Sequence, residues 1–220
     1  LHRNLVLSRT YQESAVSADV ANAAHPVWKA TRLDAEVLRD SLLFVADQLD
    51  FQIGNSPMVV KSQDPSPQDM AANLEKYRSS RRRSVYLPVV RSNVYGFLTL
   101  FDFPNAASPV ADRDETTVPT QGLWMLNSPV IQRAADQVAE TLVERQDRRG
   151  GDWNESIQWL FMKVLTRQPT ADESDLLHEL WQQAREDSAS GDDAKAQLSK
   201  EAWATVIQAL MFSNEAIYTP

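Results

Sequence analysis

Pro119 and Pro129 each stand where a helix can begin, with Asn127-Ser128 between them. Proline suits the first turn of a helix, where its missing N–H would have no partner, and it cannot continue a helix already running. The segment Thr116-Thr117-Val118-Pro119-Thr120-Gln121-Gly122-Leu123-Trp124-Met125-Leu126-Asn127-Ser128-Pro129 therefore predicts a short helix that stops and a second that starts, with Ser128 as its N-cap. The second helix carries a clean stripe: Ile131, Ala134, Ala135, Val138, Ala139, Leu142 and Val143. Such a chain is committed to helix-on-helix packing over at least its second half.

The rest of the sequence agrees. Helical spacing predicts helices over 32–50, 129–146, 153–166, 171–187 and 195–212. In the first, Leu38, Leu42, Val45 and Leu49 form the stripe, with Val37 and Phe44 widening it and Gly54, Asn55 and Pro57 ending it. Arg148-Arg149-Gly150-Gly151 breaks the second. Asp152 and Glu155 open the third. Thr170-Ala171-Asp172-Glu173 reads as a capping box for the fourth. The last is apolar on two sides (Trp203, Val206, Ile207, Leu210, Met211) and is expected to be largely buried. Leu1 to about Arg9 reads as the end of a helix.

Between 52 and 80 the prolines Pro57, Pro65 and Pro67 suggest a long connection. Ser84 to Val90 is the best strand candidate, although Pro88 restricts it to an edge. The expected fold is thus mainly α, a helical domain with a small β element near residues 83–91. The whole of 1–220 reads as one domain cut from a longer polypeptide.

Composition narrows function. The net charge of −8 disfavours nucleic acid, whose phosphates want a basic surface. With no cysteine there is neither disulfide nor thiolate chemistry, and no Cys-x-x-Cys-His for attaching haem. No apolar run approaches the roughly 18 residues that span a bilayer. His2, His25 and His178 stand far apart with no second ligand at metal spacing, so no metal site is predicted. No serine lies in a nucleophile elbow.

Several segments together resemble the planctomycete PSD-one family, catalogued as a domain of unknown function numbered 1553. They are Leu1-His2-Arg3, Arg32-Leu33-Asp34-Ala35-Glu36 with Leu38-Arg39-Asp40, Arg82-Arg83-Ser84-Val85-Tyr86 with Pro88 and Arg91, and Phe101-Asp102-Phe103-Pro104. Arg113 with Thr116 to Gln121 and Leu126 to Pro129 is the most specific, and Gln208-Ala209-Leu210 with Ser213-Asn214-Glu215 resembles the family's carboxyl end. Two features depart from the pattern: Gly122 where alanine is usual, and no glycine-rich turn after Gly54. The resemblance implies an exported, extracytoplasmic, multidomain bacterial protein, with a cytochrome-c-like haem domain elsewhere in the parent chain. Upstream domains of the same polypeptide are then the expected partners. The family brings no catalytic residues.

The candidate sites follow from the same segments. Arg82, Arg83, Arg91, Asp102, Arg113, Thr116, Thr117, Thr120, Gln121 and Asn127 form a candidate polar cluster of complementary guanidinium, carboxylate, hydroxyl and amide groups. The helix start at Pro119, with Arg113 upstream, could hold an anion. The commoner role for such threonines and Gln121 is to cap the helix. Asp112, Asp114 and Glu115 form a candidate acidic loop that could flank a glycosidic bond as acid and base. A solvated loop pairing with arginines is the commoner outcome. Trp28 and Trp153 lie near loops and are the tryptophans best placed to face a sugar ring. Three functions stay open: a non-catalytic module that binds a partner or glycan, a domain acting on extracellular polysaccharide, and a docking surface for the haem domain.

Overall fold

A computed structural model of the chain describes residues 1–12, 30–53, 66–91, 94–105, 108–150, 152–188 and 195–219. The fold is mainly α, as expected. Two short helices, α1 (His2–Val6) and α2 (Arg9–Gln12), lead into α3 (Ala35–Val45), α4 (Pro67–Ser79) and α5 (Gly96–Leu100). The sequence around Pro119 and Pro129 forms α6 (Pro119–Asn127) and α7 (Pro129–Arg149), back to back as predicted. Then follow α8 (Trp153–Val164), α9 (Ala171–Ser188), α10 (Lys195–Met211) and the short α11 (Asn214–Ile217).

The core sits where the stripes meet. α10 packs most extensively on α7 and α9, and α3 lies against α7. Ile131, Val138, Ala139 and Leu142 of α7 are buried together with Leu160 and Phe161 of α8 and with Val206 and Ile207 of α10. Apolar on two sides, α10 is sandwiched between helices and buries Ala202, Trp203, Val206, Ile207 and Leu210. Trp153 and Trp203 stack at 4.9 Å, and Trp181 closes the cluster 5.7 Å from both.

Three expectations fail. The β element near 83–91 is absent: Ser84–Tyr86 is a 3-10 turn, and among the described residues pairing is limited to isolated bridges, Arg32 with Tyr218 and Asp50 with Arg82. The Ser84 amide, which a strand would use for its ladder, donates instead to the Asp40 carboxylate (2.9 Å), and Pro88 has no amide to offer. The connection over 52–80 contains α4, capped by Ser66 through its hydroxyl and the Asp69 amide, with Pro67 in the first turn. Ala71 and Ala72 are exposed, Met70 and Leu74 only partly buried and Tyr77 buried, so the stripe that marks other helices is weak here. Finally, the helix expected over 32–50 is only Ala35–Val45, and Val37 and Phe44 are exposed rather than part of its buried face. His25, Trp28, Gly54, Asn55, Pro57, Pro65 and Gly151, singled out in the sequence, lie outside the described residues.

The early end of α3 has a physical cause. Asp47 adopts φ +55° just beyond the C-cap, and the Gln48 amide reaches back to the Leu43 carbonyl (2.8 Å). Asp102 does the same beyond α5 at φ +60°, with the Phe103 amide on the Leu98 carbonyl (2.9 Å). These are Schellman-type endings, in which glycine is usual at the left-handed residue and aspartate is tolerated. The chain has only 6 glycines and closes several helices without one. Gly150, at φ +64° after α7, is the conventional case. Thr166, at φ +57° after α8, is the costly one, because a β-branched side chain crowds a left-handed backbone. Thr166→Gly should therefore raise the unfolding free energy by about 0.5–1 kcal/mol, the relief of the left-handed backbone being partly offset by a freer unfolded chain. Urea denaturation followed by circular dichroism measures it, and a lower midpoint would contradict it.

Candidate functional site

The Thr/Gln segment is anchored by a residue outside the predicted cluster. Arg32, just before α3, sends Nη2 to Asp102 Oδ2 (2.6 Å) and to the Phe101 carbonyl (3.3 Å), and Nη1 to the Thr116 carbonyl (2.7 Å). Its guanidinium also lies over the Phe101 ring, 5.4 Å from the centroid. The side chains of Arg32 and Asp102 are 6% and 14% exposed, so the pair is largely shielded from water. Asp102 accepts two further donors, the Thr116 amide (2.9 Å) and the Thr116 hydroxyl (2.8 Å). Burial alone would push the Asp102 carboxyl up. The Thr116 amide, the Arg32 guanidinium and the Thr116 hydroxyl outweigh that and hold it below its ordinary value.

Gln121 completes the arrangement. It is buried at the first turn of α6, where Nε2 donates to the carbonyls of Leu100 (2.9 Å) and Thr116 (3.1 Å) and Oε1 accepts from the Val118 amide (3.3 Å). Every functional atom of Gln121 is engaged in tying the exit of α5 to the entry of α6. The capping reading of the motif thus has a specific geometry, with the amide satisfying backbone groups that proline and the helix start leave open.

A second knot lies on the other side of α3. Arg39 is 5% exposed and donates Nη2 to the Ser80 carbonyl (2.6 Å) and Nη1 to the Arg82 carbonyl (3.0 Å) and Ser84 Oγ (3.2 Å). Asp40 accepts from the Ser84 amide and hydroxyl (2.9 and 2.7 Å). Together, adjacent residues of one helix hold the 3-10 turn by its backbone.

Of the predicted arginines, none reaches Asp102. Arg82 lies near Asp50 (3.7 Å) and over the Tyr86 ring, while Arg83 and Arg91 are exposed. Arg113 is turned to α3. It forms a two-pronged pair with Glu36 (2.7 and 3.0 Å), near Asp34, at the start of α3. That pairing raises the Arg113 pKa above its usual value. Asp112, Asp114 and Glu115 are exposed, as are Thr117 and Thr120. The Thr117 hydroxyl is 3.4 Å from the Tyr218 hydroxyl. Asn127 turns back onto its own helix, donating to the Leu123 carbonyl (2.8 Å). Trp153 is half-buried within the tryptophan cluster and donates to Ser174 Oγ (3.2 Å), so core anchoring accounts for it. Among the described residues no group of three or more His, Asp or Glu is placed to hold a metal ion, and no helix is long and apolar enough to cross a membrane.

Two cavities flank these knots. The larger, about 530 Å³, is a groove between α6 and the C-terminal segment, walled by Phe101, Met125, Leu126, Phe212 and Ile217, with Arg32, Thr117 and Asn214 as polar members. The smaller, about 200 Å³, lies beside Arg39, Tyr77 and Tyr95.

Residues 1–181 match the family described as PSD1, protein of unknown function (DUF1553). The chain belongs to this family. No curated protein and no solved structure matches it. Two segments by which the sequence resembles the family, Arg32 to Asp40 and Thr116 to Gln121, are those that tie the knots around Arg32 and Arg39.

Sequence reasoning missed Arg32 and Arg39 as the central cations, because their partners lie 70 and 45 positions away. A signal existed in each case. Arg39 stands between Leu38 and Leu42 on a buried helix face, and Asp102 precedes Phe103-Pro104 as the left-handed end of a helix.

Removing the Asp102 carboxylate leaves the Arg32 charge buried without its counterion. Asp102→Ala should lower the unfolding free energy by about 3–5 kcal/mol at neutral pH, read from urea melts. The folded-state pKa lies below the unfolded one, so this contribution is complete above about pH 4 and is lost as pH falls further. The gap between wild type and variant should therefore narrow in acid. A variant with an unchanged midpoint at pH 7 would contradict the pairing.

Proposed function

We propose that this chain is a non-catalytic structural and interaction module of an exported bacterial multidomain protein, packed on neighbouring domains that include a c-type haem domain. The observation that carries the non-catalytic part is the closure of the polar network. Asp102 is surrounded by Arg32 and Thr116, Asp40 by Ser84, and Gln121 by backbone groups. A general acid or base needs a proton-bearing or accepting atom aimed at substrate, and these atoms are aimed at the protein itself. The polysaccharide-cleaving alternative asks for two carboxylates across a cleft. Asp112, Asp114 and Glu115 are exposed, and they line neither of the two cavities described above.

The interaction part is supported by α1 and α2. Leu1, Leu5, Val6, Leu7 and Tyr11 are all exposed, and α1 buries none of its residues. Clustered apolar side chains of this kind mark surfaces that meet another protein. Export and the haem neighbour rest on the family resemblance.

The protein incubated with sulfated or uronic polysaccharides should release no reducing sugar above a buffer blank. Release by wild type that disappears in folded Asp112→Asn and Glu115→Gln variants would overturn the non-catalytic reading. For the interaction, the neighbouring domains supplied as a separate chain should bind. The double substitution Leu5→Glu and Tyr11→Glu should weaken that binding at least tenfold by calorimetry, while equal affinity would remove α1 and α2 from the interface.

A further inference from the structure

Six of the chain's 22 basic residues and none of its 30 acidic ones fall between Lys76 and Phe101. In a protein of net charge −8 this stretch is a local reversal of sign. Lys76 and Arg78 lie in the last turn of α4, Arg81, Arg82 and Arg83 lead into the 3-10 turn, and Arg91 follows it.

The backbone sorts the three consecutive arginines. Arg39 holds the carbonyls of Ser80 and Arg82 (2.6 and 3.0 Å), and the Asp50 amide donates to the Arg81 carbonyl (2.8 Å). The segment is thus held by its main chain. Ser80 (ψ +133°) and Arg83 (ψ +138°) are extended, and along an extended chain successive side chains point to opposite sides. Arg82 takes the inner side: its side chain is 14% exposed and lies by Asp50 and over the Tyr86 ring. Arg81 and Arg83 share the outer side, and both are exposed.

The nearby carboxylates are engaged elsewhere. Asp40 accepts from the Ser84 amide and hydroxyl, and Asp50 lies by Arg82. Among the described residues no carboxylate pairs with Arg78, Arg81, Arg83 or Arg91, all of them exposed. Arg78, Arg81 and Arg83 fall within a backbone length of at most about 18 Å. Charges so close act together over the roughly 8 Å that salt leaves unscreened in physiological conditions. Apolar groups stand beside them: Val85 is 71% exposed and Val89 37%.

We propose that this face, built on Arg78, Arg81 and Arg83 with Val85, docks an acidic protein surface that carries apolar side chains among its carboxylates. Planar guanidinium groups match carboxylates in two-pronged pairs. The exposed valines decide between polyanions, because a hydrated sulfated sugar chain gains little from them and a protein surface buries them. The face uses no residue of α1 or α2, so its binding stands or falls separately from theirs.

The test uses the full chain and a fluorescein-labelled peptide, Glu-Glu-Leu-Glu-Glu-Leu-Glu-Glu, with the same peptide carrying Lys for Glu as the charge control and heparin as the glycan arm. Fluorescence anisotropy is the readout. The Glu peptide should bind saturably at physiological salt, more weakly as salt rises, and the Lys peptide should not bind, although the protein as a whole is acidic. The double substitution Arg81→Glu and Arg83→Glu should weaken binding at least about tenfold, since each reversal replaces an attraction by a repulsion. Its circular dichroism should match wild type, because Arg39 and Asp50 hold this segment through backbone carbonyls that the substitutions leave in place. Failure of the Glu peptide to bind overturns the proposal. So does undiminished binding to the folded double variant, equal binding of the Lys peptide, or tighter binding of heparin than of the Glu peptide.

Discussion

A charge taken out of water has to be matched, and in this protein the matching of Asp102 draws distant parts of the chain together. Arg32 reaches it from the approach to α3, Thr116 from the approach to α6, and Asp102 itself ends α5. The same Arg32 residue pairs its backbone with Tyr218, next to the last helix. Orienting one guanidinium therefore fixes the relative placement of an early segment, a middle loop and the carboxyl end. Such pairs contribute little net stability over an apolar replacement, but an orphaned partner is expensive. Their effect is to make one arrangement of these segments much better than its neighbours.

Arg39 and Asp40 apply the same principle to the turn at Ser84. The two knots stand on either side of the start of α3, so that helix serves as the common support, while α7 and α10 provide the apolar mass behind it. The exposed pair between Arg113 and Glu36 and the bidentate contacts of Arg167 with Glu173 and Glu215 add peripheral ties. The last of these joins the α8–α9 corner to α11. There the capping box expected at Thr170 and Glu173 is present, and the Glu173 carboxyl is held down to about 2 by Arg167 and the Thr170 amide.

A polar cluster that satisfies itself is a poor place for chemistry, because its proton-bearing and accepting atoms are already engaged. The segments most specific to the family thus build the wall of a cavity as well as the knot beneath it. Gln121 belongs to both: it lines the groove while its own polar atoms are bound to Leu100, Thr116 and Val118.

The sequence by itself determined the helical class, the paired helix starts at Pro119 and Pro129, the buried α10 and the cap at Thr170. All of these depend on residues within a turn or two of one another, where periodicity, proline and short polar side chains act directly on the backbone. Tertiary structure decided what the turn at Ser84 became, where α3 stopped and which arginine met Asp102. Val85, Tyr86 and Leu87 would suit a strand, but Asp40, 44 positions away, takes the amide a strand needs. The arginines nearest in sequence to the turn face solvent or Asp50, while Arg32, 70 positions from Asp102, is buried against it. Local patterns can name the charged groups that need partners. The pairing itself follows from which of them the packed helices leave without water.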